Sequence, residues 1–257
     1  MSIGIFCILL LMLVLRQPLV FNRRANKTYL AVTVQIYLSM LVTYWSAQFI
    51  PSGWVSVIFG LGPFMTAILA AVFLKEASLG WLRVLSYLLG IAGLAVMFVS
   101  ALALNQQALL GVLGILLATF LQALSAVMVK RSNAGLSPLQ LMSGGLLYSL
   151  PWYLMSVYWV TGWQLPEYIP DKTLYAILYL GVIATTLGFT WYYYLLKYLP
   201  ATKVAMLSLV TPLLSLILGY SVNHEPFSLK VALGTGLILT ALIFYHWAER
   251  RQRVVKV

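Results

Sequence analysis

Long apolar stretches, each ended by a short cluster of charged or turn-forming residues, follow one another along the chain. About 20 apolar residues in α-helix cross roughly 30 Å of hydrocarbon. On that measure the pattern predicts spans at residues 29–49, 53–74, 81–101, 108–129, 138–160, 173–195, 201–222 and 229–247. A ninth apolar stretch, residues 1–15, is shorter. In lipid a helix satisfies its own backbone polar groups, so the predicted fold class is all-α, a polytopic membrane bundle of about nine spans.

Within this pattern four landmarks recur at a fixed offset. Tyr44, Pro51, Pro63 and Glu76 match Tyr193, Pro200, Pro212 and Glu225, each pair 149 residues apart. A repeat of this length carries each span onto the fifth one after it, and five is odd. The two copies therefore sit upside down relative to each other, as inverted repeats. The expected domains are residues 1–104, a first repeat, and 105–257, a second repeat with a basic tail. The second copy has five spans and the first has four. The expectation is that the first repeat lacks its first helix and that Met1 falls inside the next one.

Charge placement sets the expected orientation. Of the 16 Lys and Arg residues, only Lys172 and Lys230 fall on one side of the predicted topology. The remainder, including Arg23, Arg24, Lys130, Arg131, Lys197 and the tail Arg250, Arg251 and Arg253, fall on the other. Basic residues favour the cytoplasmic side, which places the C-terminus there. The net charge of +11 is explained by this bias, and no nucleic-acid partner is expected. Only 8% of residues are charged, against roughly 25% in a soluble domain. The single cysteine, Cys7, and two separated histidines, His224 and His246, give no metal site, and no cofactor is expected.

The run from Gly62-Pro63-Phe64-Met65-Thr66-Ala67 to Leu74-Lys75-Glu76 resembles the fourth helix of the EamA domain. Thr211-Pro212-Leu213-Leu214-Ser215, leading to Asn223-His224-Glu225, resembles the ninth. Tandem EamA domains characterise the drug/metabolite transporter superfamily. The resemblance implies ten helices in two inverted five-helix repeats around a central cavity, and the export of amino acids, other metabolites or drugs, often across a bacterial inner membrane. The usual Gly-Glu after the fourth helix reads Lys75-Glu76 here.

Polar residues at mid-depth are costly unless they face protein or a wet cavity. Gln122, with Thr119 and Ser125 three residues away on either side, is the clearest candidate for binding a substrate. Gln35 and Tyr37 (beside Ser39), Thr185 (beside Thr186), Ser208 and Thr211 complete the candidate set. A glutamine offers two donors and an acceptor, which suits a zwitterion, an amide or a sugar-like solute. The competing reading is helix-to-helix hydrogen bonding, or for Ser and Thr a bond back into the same helix. Pro63 and Pro212 are read near the middles of their spans, as hinges or static kinks. The run Trp191-Tyr192-Tyr193-Tyr194, with Tyr198, reads first as an interfacial aromatic belt, and so do Trp152, Tyr153, Tyr158 and Trp159.

None of the five acids falls within a predicted span, which argues against a proton relay and for facilitated or exchange transport. No phosphate-binding loop or nucleophile motif is present in the sequence. The leading functional expectation is a secondary transporter of small organic solutes in a bacterial inner membrane, working by alternating access. Its partners are the solute and the lipid bilayer, with a homodimer left open. The alternatives are a non-transporting membrane scaffold or receptor, and an enzyme acting on lipid.

Overall fold

The computed structural model describes residues 2–74, 81–104, 106–132, 134–162, 170–206, 210–223 and 228–254, and these are almost entirely helical. The helices are α1 (Ser2–Val14), α2 (Arg23–Thr33), α3 (Met40–Ser46), α4 (Ser52–Phe59), α5 (Gly62–Leu74), α6 (Trp81–Leu104) and α7 (Gln106–Ser132). They continue as α8 (Pro138–Thr161), α9 (Asp171–Tyr179), α10 (Phe189–Tyr198), α11 (Ala201–Met206), α12 (Val210–Asn223) and α13 (Leu229–Val254). A π-helix, π1 (Val34–Ser39), joins α2 to α3, and a second, π2 (Leu180–Gly188), joins α9 to α10. Among the described residues, most of each predicted span lies in helix.

Among the described residues three helical stretches are long and apolar enough to cross a membrane: Ser52–Leu74, Gln107–Ser132 and Thr173–Tyr198. Shorter apolar helices lie at Ile3–Val14, Val84–Val96 and Leu229–Tyr245. Large apolar side chains stand exposed along much of α9 and π2, where Leu174, Tyr175, Leu178, Tyr179 and Ile183 all face outward. A contiguous exposed surface of this kind suits a hydrocarbon solvent.

Helix ends follow local chemistry. The start of α8 has a full capping box: the Ser137 N–H donates to Gln140 Oε1 at 2.8 Å, and the Gln140 N–H donates to Ser137 Oγ at 3.2 Å. Pro138 occupies the first turn, where its missing N–H costs nothing. The other end stops at Gly162, whose φ of 58° is the left-handed conformation that glycine adopts freely.

The chain forms two compact units. The first contains Met1–Leu38 and Met128–Pro200. In it α8 packs on α1, α2 and α10, and α1 packs on π2. These seams are close because glycines line them. A Cβ on Gly144 or Gly145 would overlap Tyr29 or Val32 of α2, and one on Gly4 would lie 2.6 Å from Thr185 Cγ2. Small residues let helices approach where no hydrophobic effect drives them together.

The second unit contains Ser39–Val127 and Ala201–Val257. Here α6 packs along α13, α4 on α12, and α5 on α11. Its apolar core includes Trp54, Val57, Ile58, Phe64, Val112, Ile115, Ile238 and Tyr245. Tyr87 and Tyr245 stack at 6.0 Å between α6 and α13, and Phe64 meets both edge-on at 5.4 and 5.7 Å.

Pro63 lies near the middle of the Ser52–Leu74 stretch. It is the second residue of α5, and the break lies just before it at Gly60 and Leu61. Proline cannot donate to the ladder and clashes with the preceding turn, so the helix ends upstream and restarts around it. Pro212 lies on α12; residues 207–209 ahead of it are outside the described residues.

Candidate functional site

In the first unit the polar candidates gather on the two π-helices. Gln35, on π1, is buried, and its Oε1 accepts a hydrogen bond from the Tyr193 hydroxyl at 3.2 Å. Tyr193 is itself fully buried on α10, and its neighbour Tyr192 also engages Gln35. The two tyrosine rings meet edge to face at 5.1 Å, and Phe189 stacks on Tyr193 at 6.4 Å. The result is one carboxamide set among aromatic rings, the mixture of few polar and many aromatic groups that lines solute sites.

Tyr37, two residues further along π1, shares a 2.7 Å hydrogen bond with Ser156 of α8. Its ring lies edge-on to Tyr153 at 4.9 Å and tilted to Trp152 at 6.3 Å. The Tyr153 hydroxyl donates to the Ile36 carbonyl inside π1. On π2, Thr185 and Thr186 donate to the carbonyls of Leu180 and Gly181, at 2.7 and 3.1 Å. Each bond reaches five residues back, which is the π-helical spacing. Hydroxyls from the helix or its neighbour thus serve backbone carbonyls that no water reaches in a bilayer.

At the end of α10, the Lys130 ammonium donates to three carbonyls, those of Leu196, Lys197 and Leu199, at 2.9, 3.1 and 2.9 Å. A lysine has three donors, and all three are used on a helix C-terminus, the end that favours positive charge.

The second unit holds the rest of the candidate set. Gln122 is half-buried on α7, Ser125 is buried on the same helix, and Thr119 donates to the Ile115 carbonyl at 2.7 Å. Thr211 is exposed at the start of α12. Ser208 lies outside the described residues, as do Glu76 and Glu225. Between α4 and α12 the Ser56 hydroxyl donates to Ser215 Oγ at 2.8 Å. Among the described residues no group of three or more His, Cys, Asp or Glu could hold a metal.

Sequence reasoning assigned Tyr193 and Tyr153 to aromatic belts. Trp191, Tyr194 and Tyr198 are indeed exposed, but Tyr193 faces inward. The spacing was the usable signal: positions 191, 194 and 198 share one helix face, and 193 falls off it. The helix-closing role of Lys130 and the pairing of Ser56 with Ser215 were not read from the sequence. Nothing in the sequence pattern distinguishes a lysine that closes a helix end from one that faces water.

The EamA-like transporter family model matches residues 109–247, just over half of the chain. The chain belongs to this family. It is 23% identical to the uncharacterized transporter YvbV of Bacillus subtilis, over 96% of this chain and 82% of that protein. It is 23% identical to YoaV of the same organism, another uncharacterized transporter, over 98% and 86%. An uncharacterized transporter of Archaeoglobus fulgidus is 26% identical over 76% of this chain and 67% of its own length. One crystal structure superposes with a TM-score of 0.68 at 17% identity, covering 97% of this chain and 86% of its own, which supports the fold. Family and helices together make this an integral membrane protein of a transporter family.

Proposed function

We propose that this protein is a secondary transporter that exports small organic solutes, amino acids or drug-like compounds, across a bacterial cytoplasmic membrane by alternating access. The observation that carries the reading is the reciprocal packing in the second unit, α4 on α12 and α5 on α11. Two antiparallel helices related by a two-fold axis meet in this way, the first half of each against the second half of the other. Both carry prolines 149 residues apart, and the first is interrupted at Gly60 and Leu61, just ahead of Pro63. Inverted repeats with broken helices are a common architecture for carriers that rock around a central site.

In this reading the repeats are residues 1–104 and 105–257, about nine spans cross the bilayer, and the basic tail is cytoplasmic. Pro63 and Pro212 mark the hinges. Gln122, Gln35, Tyr37, Ser125, Thr185, Ser208 and Thr211 line the solute path. The test is efflux of amino acids and cationic dyes from cells expressing the chain, against cells carrying an empty vector. Gln122→Ala should lower flux several-fold at unchanged membrane abundance. Absence of efflux for the whole panel, with folded protein in the membrane, would sink the reading.

A further inference from the structure

In the first unit the ends of α1, α2, α7, α8 and α10 are tied together at one face. The Ser137 hydroxyl at the start of α8 donates to Gln17 Oε1 at 2.7 Å, and Gln140 Nε2 donates to the Pro18 carbonyl at 2.8 Å. These bonds hold the turn after α1 against α8. The Thr28 and Ser132 hydroxyls meet at 2.6 Å and join the start of α2 to the end of α7. Lys130 in turn closes the end of α10. Arg16, Arg23, Arg24, Lys27 and Lys197 stand exposed on this face. The two carboxylates in this unit's sequence, Glu167 and Asp171, both precede α9. Asp171 opens α9, and the helical stretch Thr173–Tyr198 puts it roughly 40 Å from the basic end. Helix stability does not account for the three cations on α2, because the N-terminus of a helix favours negative charge.

We propose that this face binds the headgroups of anionic phospholipids. Apolar side chains stand beside the cations: Leu15 precedes Arg16, Leu30 lies one turn inward from Lys27, and Tyr194 lies one turn inward from Lys197. All three are exposed. A phospholipid offers the matching pair, a phosphate at the surface and an acyl chain beneath it, whereas a free phosphate offers only the first. Basic clusters beside membrane helices attract anionic lipid, with a strength that grows cation by cation. Arg16 is also fixed in place. Its φ of 50° is the left-handed conformation that glycine normally fills after a helix, and the bonds to Gln17 and Pro18 hold the turn that carries it. Helix α2 runs directly into π1, and α10 follows π2, so bound headgroups would hold the outer ends of both interrupted helices. Lipid capture of this kind depends on the membrane setting and on no particular solute.

The test places the full chain in vesicles of phosphatidylcholine and phosphatidylglycerol in equal amounts. Native mass spectrometry after gentle extraction then reads which lipid stays bound. Phosphatidylglycerol should be retained in preference. Arg23→Gln and Lys27→Gln should each lower that preference by up to about fivefold, and Arg23→Gln, Arg24→Gln and Lys27→Gln together should nearly abolish it. Arg23→Lys keeps the charge and should keep the preference. These side chains are exposed, and an unchanged melting temperature in detergent checks that each variant is folded. Equal retention of the two lipids by the parent would overturn the proposal, and so would a preference that survives in the triple variant. Removal of phosphatidylglycerol by millimolar inorganic phosphate would overturn it too, since a soluble anion would then suffice. The readout needs no solute, so a protein that moves none of the efflux panel can still pass it while the transporter reading fails.

Discussion

Two glycine substitutions should move stability in opposite directions. On α8, a Cβ at Gly145 would overlap Val32 Cγ1, sit 2.8 Å from Val32 Cβ and touch Ile36 Cδ1 at 3.4 Å. Valine in a helix is confined to essentially one rotamer, so Val32 cannot turn aside and α2 must move away from α8. That movement also stretches the bond from the Thr33 hydroxyl to the Gly145 carbonyl, 3.3 Å in the intact protein. Overpacking costs about 1–3 kcal/mol, and alanine in a helix interior returns about 1 kcal/mol over glycine. Gly145→Ala should therefore destabilise by up to about 2 kcal/mol on balance. On α13, a Cβ at Gly236 would have no neighbour within 4 Å. Only the helix preference remains there, and Gly236→Ala should stabilise by up to about 1 kcal/mol. Thermal unfolding in detergent, followed through the eight tryptophans, reads both. At about 2–4 °C per kcal/mol for a chain of this order of size, Gly145→Ala should melt up to about 8 °C lower and Gly236→Ala up to about 4 °C higher. A melting temperature for Gly145→Ala above the parent would refute the close seam between α2 and α8.

Lys130→Met removes three charge-assisted bonds from the end of α10. Water reaches that helix end, so the loss should be near helix-terminus values, about 1–2 kcal/mol, and appear as a melting temperature lower by a few degrees. Lys130→Arg should recover only part of it, because a planar guanidinium cannot aim at three converging carbonyls. Tyr193→Phe leaves the buried Gln35 oxygen without that donor and should cost about 1–3 kcal/mol. Adding Gln35→Met should return much of this, and strictly additive losses in the double-mutant cycle would show that the two side chains do not depend on each other.

The helices were legible because each is an uninterrupted apolar stretch bounded by charge or by Pro and Gly, the two signals that length and solvation impose in lipid. The interruptions inside them were less so. A π-helix inserts one residue without altering composition, so nothing in Val34–Ser39 or Leu180–Gly188 marks it. Proline did mark the break in Ser52–Leu74, but the chain yields at Gly60 and Leu61 ahead of Pro63, where the helix can end without a clash. The candidate site was legible by residue type and illegible by direction. Gln35 stood out as a costly amide, yet its partner Tyr193 was hidden among tyrosines that face outward.

The interruptions carry an argument of their own. π1 ends at Ser39 and π2 at Gly188, which are 149 residues apart, the offset of the sequence landmarks. Pro63 and Pro212 keep the same offset, and the turn at Gly60 and Leu61 lies just ahead of the first. Among the described residues the irregular stretches are therefore π1, π2 and the turn ahead of Pro63, while α6, α7, α8 and α13 run through without a break. Irregular backbone survives at membrane depth only where protein or a wet cavity serves its polar groups. Three of the proposed path residues, Gln35, Tyr37 and Thr185, fall in these irregular segments. Gln122 and Ser125 sit instead on unbroken α7. On the proposed transport reading the irregular helices would move during the cycle, and the unbroken α7 would hold Gln122 in place. On that division, substitutions in π1 and π2 should alter the rate of turnover, and Gln122→Ala should chiefly alter the solute concentration at half-maximal flux. A Gln122→Ala variant with unchanged half-maximal concentration and a slowed maximum would place that residue among the moving parts.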